Sequence, residues 1–162
     1  MWVGFLQWLE ATGPAEAISE SDWLFPCIEV VHVLAITLVV GSISMVDLRL
    51  LNLNLRDRPA DEVIAEVLPF TWVGFGVAVL TGSLLFASAA TKYWGTALFR
   101  LKLVMLALAG INMLAFHASA TYRRLPAWSA SPHTPRAAKI AGAASLVLWI
   151  GVVACGRWVG FK

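Results

Sequence analysis

IEVVHVLAITLVVGSISMVDLRLL, residues 28–51, is an almost unbroken apolar run. Glu29 and His32 stand near its front edge, and Asp47 and Arg49 close it at the back. At 1.5 Å per residue, a helix of this length crosses the roughly 30 Å of hydrocarbon in a bilayer. The run therefore reads as a transmembrane helix. Lipid penalises the polar groups it carries, so their placement is the first clue to what the chain does.

The rest of the chain extends that reading. Of 162 residues, 59% are apolar, and the mean hydropathy is +0.76. A soluble domain is nearer half apolar, so a bilayer is the expected solvent. Four stretches are long enough to span it: about 23–47, 68–90, 97–120 and 138–158. The expected architecture is one all-α domain over residues 1–162, a polytopic four-transmembrane-helix bundle. Little is left for a soluble lobe, so any chemistry belongs inside the bundle or at its rim. Before the first span, Trp2, Phe5, Leu6 and Leu9 recur at helical spacing. They predict a short interfacial helix, ended by Gly13-Pro14. This N-terminus lacks the basic lead of a secretory signal and instead carries Glu10, Glu16, Glu20 and Asp22.

Basic residues set the expected orientation. Arg49, Arg56, Arg58, Arg123, Arg124, Arg136 and Lys139 fall after spans one and three. Lys92, Arg100, Lys102, Arg157 and Lys162 fall at the other side. The positive-inside rule then puts both termini outside, in a bacterial inner membrane. The formal net charge of +2 carries no sign of nucleic-acid binding. The loop 52–69 mixes charges and predicts an amphipathic turn before Pro69. In span two, Gly74, Gly76, Gly82 and Ser83 offer small surfaces for close approach by a helix or cofactor. His133 sits in a proline-rich loop and reads as a solvated side chain. Cys27 and Cys155 belong to the outer half, as two apolar thiols, a disulfide or a metal pair.

The polar groups of the spans fall into order on helical wheels. In span one, Glu29, His32, Ile36, Val40, Ile43, Ser44 and Asp47 share a stripe that should face the bundle interior. In span three, Lys102, Met105, Leu106, Ala109, Met113, Phe116 and His117 form a similar stripe. His32 and Lys102 lie at matching depth, because spans one and three run parallel. His117 lies 15 residues beyond Lys102, roughly 22 Å deeper. His32 and His117 of one chain therefore cannot ligate the same iron. Glu29 and His32 make a Glu-x-x-His step, but a di-iron bundle needs two such steps and two further glutamates. Glu29 reads instead as a group that orients His32, or the two form a hydrogen-bonded packing pair.

The runs WLFPCIEVVHVLAITLVVGSISMVDLRLL, FTWVGFGVAVLTGSLLF and FRLKLVMLALAGINMLAFH resemble an uncharacterised bacterial family of roughly 160-residue, four-helix membrane proteins. A more distant likeness rests on His32, on Gly41 nine residues later, and on Arg49 near the end of the span. It is similar to the small membrane protoporphyrinogen oxidases of bacteria and to the copper-resistance D membrane domain. In the oxidases, a first-helix histidine and a lysine opening a later helix are associated with haem b. The resemblance implies the same for His32 and Lys102, although the oxidases' surrounding motifs are not evident here and His117 offers another histidine.

Three functions follow as expectations. The first is a haem b protein in redox chemistry or electron transfer, with quinone or another membrane subunit as partner. In it, His32 and Lys102 are metal ligands, Glu29 orients His32, Arg100 or Lys92 meets the propionates, and His117 is a further cofactor candidate. The second is an accessory subunit of a respiratory or transport assembly, anchored by Trp72, Trp94, Trp149 and Trp158. The third is copper handling through Cys27, His32, Met105 and Cys155.

Overall fold

The computed structural model describes residues 2–160, which are all-α with no strand among them. Among these residues nine helices follow in order: α1 Trp2–Glu10, α2 Gly13–Glu20, α3 Leu24–Leu50, α4 Ala60–Ser88, α5 Ala90–Gly95, α6 Ala97–Ala118, α7 Ala120–Arg123, α8 Leu125–Trp128 and α9 Arg136–Val159. Helices α3, α4, α6 and α9 are long and apolar enough to cross a membrane. By length and composition they mark a multi-pass membrane protein. Their outward faces fit that solvent: Leu34, Val73, Leu114 and Val147 are each at least 64% exposed. Water would penalise so much uncovered apolar surface, whereas lipid does not.

Local chemistry sets the helix ends. Ser21 Oγ accepts from the backbone N–H groups of Trp23 and Leu24, fastening the start of α3. At the other end, Asn52 adopts a left-handed conformation with φ of 58°. The N–H of Leu53 then reaches back to the Leu48 carbonyl, and that of Asn52 to Arg49. This is a Schellman stop, with asparagine where glycine is more usual. Ser119 caps α7 by accepting from the Tyr122 N–H.

Two boundaries differ from the sequence-based expectation. Helix α4 starts at Ala60 and runs straight through Pro69. Ala60, Val63, Ile64 and Val67 are buried at helical spacing, so packing carries the helix through the amide that proline cannot donate. The N-terminal segment forms two helices rather than one. Gly13-Pro14 opens α2, since proline in a first turn loses no hydrogen bond. Helix α1 packs on α4 and α5, and α2 on α3 and α4. The Glu10 carboxylate fixes this arrangement by accepting from the N–H and hydroxyl of Thr91 at 2.8 and 3.1 Å.

The four long helices are arranged in the order α4–α3–α9–α6, with α3 on α4 and α6 on α9 as the most extensive pairs. Glycines bring their axes close. A Cβ at Gly74 would come within 3.3 Å of the Ala35 carbonyl oxygen, one at Gly142 within 3.2 Å of the Asp47 carbonyl oxygen, and one at Gly151 into the Met105 side chain. The remaining seam, α4 against α6, is joined at one end by the stacked rings of Phe86 and Phe99, 5.2 Å apart. That end also carries α1, α2 and α5, and is called the termini end. The opposite, loop end holds the connections 51–59 and 119–135.

Candidate functional site

At the termini end, His32 early in α3 meets Thr81 late in α4. The His32 Nδ1 and Thr81 Oγ1 are 2.9 Å apart. The Thr81 hydroxyl spends its own hydrogen on the Val77 carbonyl at 2.7 Å, so its oxygen accepts from His32 Nδ1–H. This arrangement fixes the tautomer and leaves the lone pair on Nε2. Gly82 makes it possible, because a Cβ there would lie 2.8 Å from His32 Cε1.

Lys102, early in α6, lies at the same end and close enough to His32 to act on it electrostatically. Its side chain runs along α9, with Nζ 3.7 Å from where a Gly156 Cβ would sit and with buried Cys155 as neighbour. His32 and Lys102 are thus brought to one end, from opposite sides of the bundle. Glu29 is exposed, and its carboxylate lies by Tyr93 of α5. Burial, and then that carboxylate, push the Tyr93 phenol above its ordinary value. Thr81, not Glu29, holds the His32 Nδ1. Arg100 is exposed at the start of α6. Cys27 is exposed and Cys155 buried, and both are free thiols. Among the described residues, no group of three or more His, Cys, Asp or Glu side chains could hold a metal ion.

The loop end holds a second constellation. There the helices leave a cavity of about 180 Å³. Its apolar walls include Trp72 and Phe75 of α4, Phe116 of α6 and Trp149 of α9. Its polar groups are Asp47, Thr71, Asn112, His117, Tyr122 and Ser145. His117 donates Nδ1–H to the Met113 carbonyl at 2.8 Å, which leaves Nε2 on the far side of the ring. The Tyr122 ring stands 4.3 Å from it, centroid to centroid. Asn112 donates to the Ala141 carbonyl at 3.0 Å and so ties α6 to α9. Asp47 is only 5% exposed. Ser145 lies within hydrogen-bonding reach of its carboxyl, while Oδ2 has no partner.

Arg49 is the neighbouring buried ion, yet it does not serve Asp47. Its guanidinium donates to the Arg58 carbonyl at 2.6 Å, to Asn52 Oδ1 at 3.1 Å and to the Ser129 carbonyl at 2.9 Å. It is a clamp on the two loops. The sequence reading singled out His117 but set no partner beside it; Asn112, Tyr122, Thr71 and Ser145 went unassigned, as did Thr81 at the other end. Each is an ordinary helix residue by spacing alone, and only the packing of one helix on another gives it a role.

No curated protein and no solved structure matches the chain. None of these comparisons connects it with the protoporphyrinogen oxidases or the copper-resistance D domain. One family model does match, over residues 25–162, which takes in all four long helices and both constellations. The chain belongs to DUF6644, a family of unknown function.

Proposed function

We propose that this protein binds haem b at the termini end of its bundle and transfers electrons within a bacterial inner membrane. It does so as a membrane oxidoreductase or as an electron-transfer subunit of a larger complex. The observation that carries this reading is the His32–Thr81 hydrogen bond. It holds a neutral imidazole in one tautomer and orientation with Nε2 free to ligate, which is how a partner behind a ligating histidine prepares it. The donor types fit a b-type haem. His32 would hold the haem, and Lys102, once deprotonated, would be a further ligand to it. Arg100 and Lys92, both exposed at this end, suit the propionates. Haem bound there supplies a one-electron couple, and the chain contributes ligand, burial and charge. A lipid-soluble quinone or a partner subunit would be the exchange partner.

The test is an absorption spectrum with metal analysis, before and after dithionite, on protein expressed with ample haem. A Soret band that His32→Ala abolishes at equal protein yield, and that His117→Ala leaves in place, is the expected result. Iron-free protein without that band, copper in its place, or haem lost only in His117→Ala would overturn the reading. The first of these outcomes would favour a non-catalytic accessory subunit.

A further inference from the structure

The loop-end cavity presents an unusual balance of hydrogen-bonding groups. Asp47 is buried, and its Oδ2 lacks a donor. His117 turns its Nδ1–H to its own helix, so Nε2 is the ring nitrogen left for a ligand. One of the two Asn112 amide N–H groups is given to the Ala141 carbonyl. A buried carboxyl oxygen without a partner is costly and calls for a donor from outside the chain. The walls around it are mainly apolar, with Trp72, Phe75 and Trp149 among them. The cavity lies between α4 and α6, which are not an extensively packed pair.

We propose that this cavity binds a lipid-soluble hydroquinone. Its aromatic head is held among the tryptophan and phenylalanine rings, one hydroxyl donates to Asp47 Oδ2, and His117 Nε2 is the second acceptor. A concave apolar site with a few convergent polar groups is the usual form of a small-molecule site. The hydroxyl donors are what single out the ligand. An oxidised quinone brings only acceptors and would leave Asp47 Oδ2 without a donor. A quaternary or phosphonium cation suits a carboxylate beside aromatic rings, but it brings no hydrogen to Asp47 or to His117. The proposal does not rest on haem at His32, which sits at the other end of the bundle.

The experiment is anaerobic calorimetric titration of the full-length protein in phosphatidylcholine nanodiscs. The probes are decylhydroquinone, its oxidised quinone and tetraphenylphosphonium. Wild-type protein should bind decylhydroquinone saturably and more tightly than either other probe. Asp47→Asn should weaken that binding about 10-fold or more, as expected when a buried carboxyl partner is replaced by an amide. His117→Gln, which alters the second acceptor, should weaken it less and carries the test if Asp47→Asn does not fold. Absence of saturable hydroquinone binding, preference for the quinone or the cation, or unchanged affinity in the folded variants overturns the proposal. The Soret band is recorded on the same samples. Its loss with hydroquinone binding intact counts against haem alone, and its retention without hydroquinone binding counts against this site alone.

Discussion

The Thr81 hydroxyl takes a hydrogen from His32 and gives its own to Val77, so it works as a fixed acceptor behind the imidazole. Removing it while keeping the shape, as in Thr81→Val, should free the ring to turn and change the basicity of Nε2. Partners of this kind are typically worth about 10–100-fold in metal affinity. Haem titration of Thr81→Val should therefore show a loss of that order, while Glu29→Gln, at an exposed site beside Tyr93, should change affinity much less. Equal losses in the two variants would return the orienting role to Glu29. A 3.6-residue period put Glu29, His32 and Asp47 on one inward stripe, but the structure buries Asp47, half-buries His32 and leaves Glu29 exposed, with Ala35, Val39 and Ser42 forming the buried face instead. That Thr81 stands behind His32 was not legible, because a period says which residues share a face but not which face of another helix meets it. Glu29 was the nearest carboxylate along the same helix, and three residues of separation made it the natural choice.

At the scale of elements, Arg49 joins pieces that are far apart in sequence. Its three bonds reach the loop after α3 and, through Ser129, the turn after α8, and the Ser129 carbonyl also accepts from the Ala60 N–H at the start of α4. The side chain is 2% exposed, so its loss cannot be made good by water without opening the loops. Arg49→Met should destabilise the protein by about 2–4 kcal/mol, given that hydrogen bonds to charged groups are worth about 1.5–3 kcal/mol each and partly compensate on loss. Unfolding in detergent micelles measures the first effect. Faster tryptic cleavage at Arg56 than in wild type is the accompanying sign of a loosened loop. Wild-type stability and cleavage in Arg49→Met would show that the clamp is idle. The long helices themselves were legible from hydropathy and length, to within a few residues for α3, α6 and α9. The early start of α4 was not, since Pro69 and the charged stretch before it read locally as a break. What overrides them is the burial of Ala60, Val63, Ile64 and Val67, a tertiary effect.

The whole molecule is polarised along its axis, with one constellation at each end, and its orientation decides which leaflet each one meets. The loop end exposes Arg56, Arg123, Arg124 and Arg136 and half-buries Arg58 and Lys139. Arg49 is buried in the clamp and contributes to the fold more than to the surface charge. Even without it, the short loops of this end outweigh Lys92, Arg100 and Arg157 at the other, and Lys102 is directed along α9. Basic residues in short loops are retained on the cytoplasmic side, so the loop end should face inward. With Cys27 and Cys155 replaced by alanine, single cysteines at Asp57 and Ala130 should resist a membrane-impermeant maleimide in intact cells. Both should label after lysis, and a cysteine at Ser19 in α2 should label in intact cells. That outcome sets His32 and Lys102 toward the outer face and opens the Asp47 cavity to lipid of the inner leaflet. Labelling of Asp57→Cys or Ala130→Cys in intact cells reverses both assignments, because the two constellations cannot exchange ends while α3 and α6 run parallel.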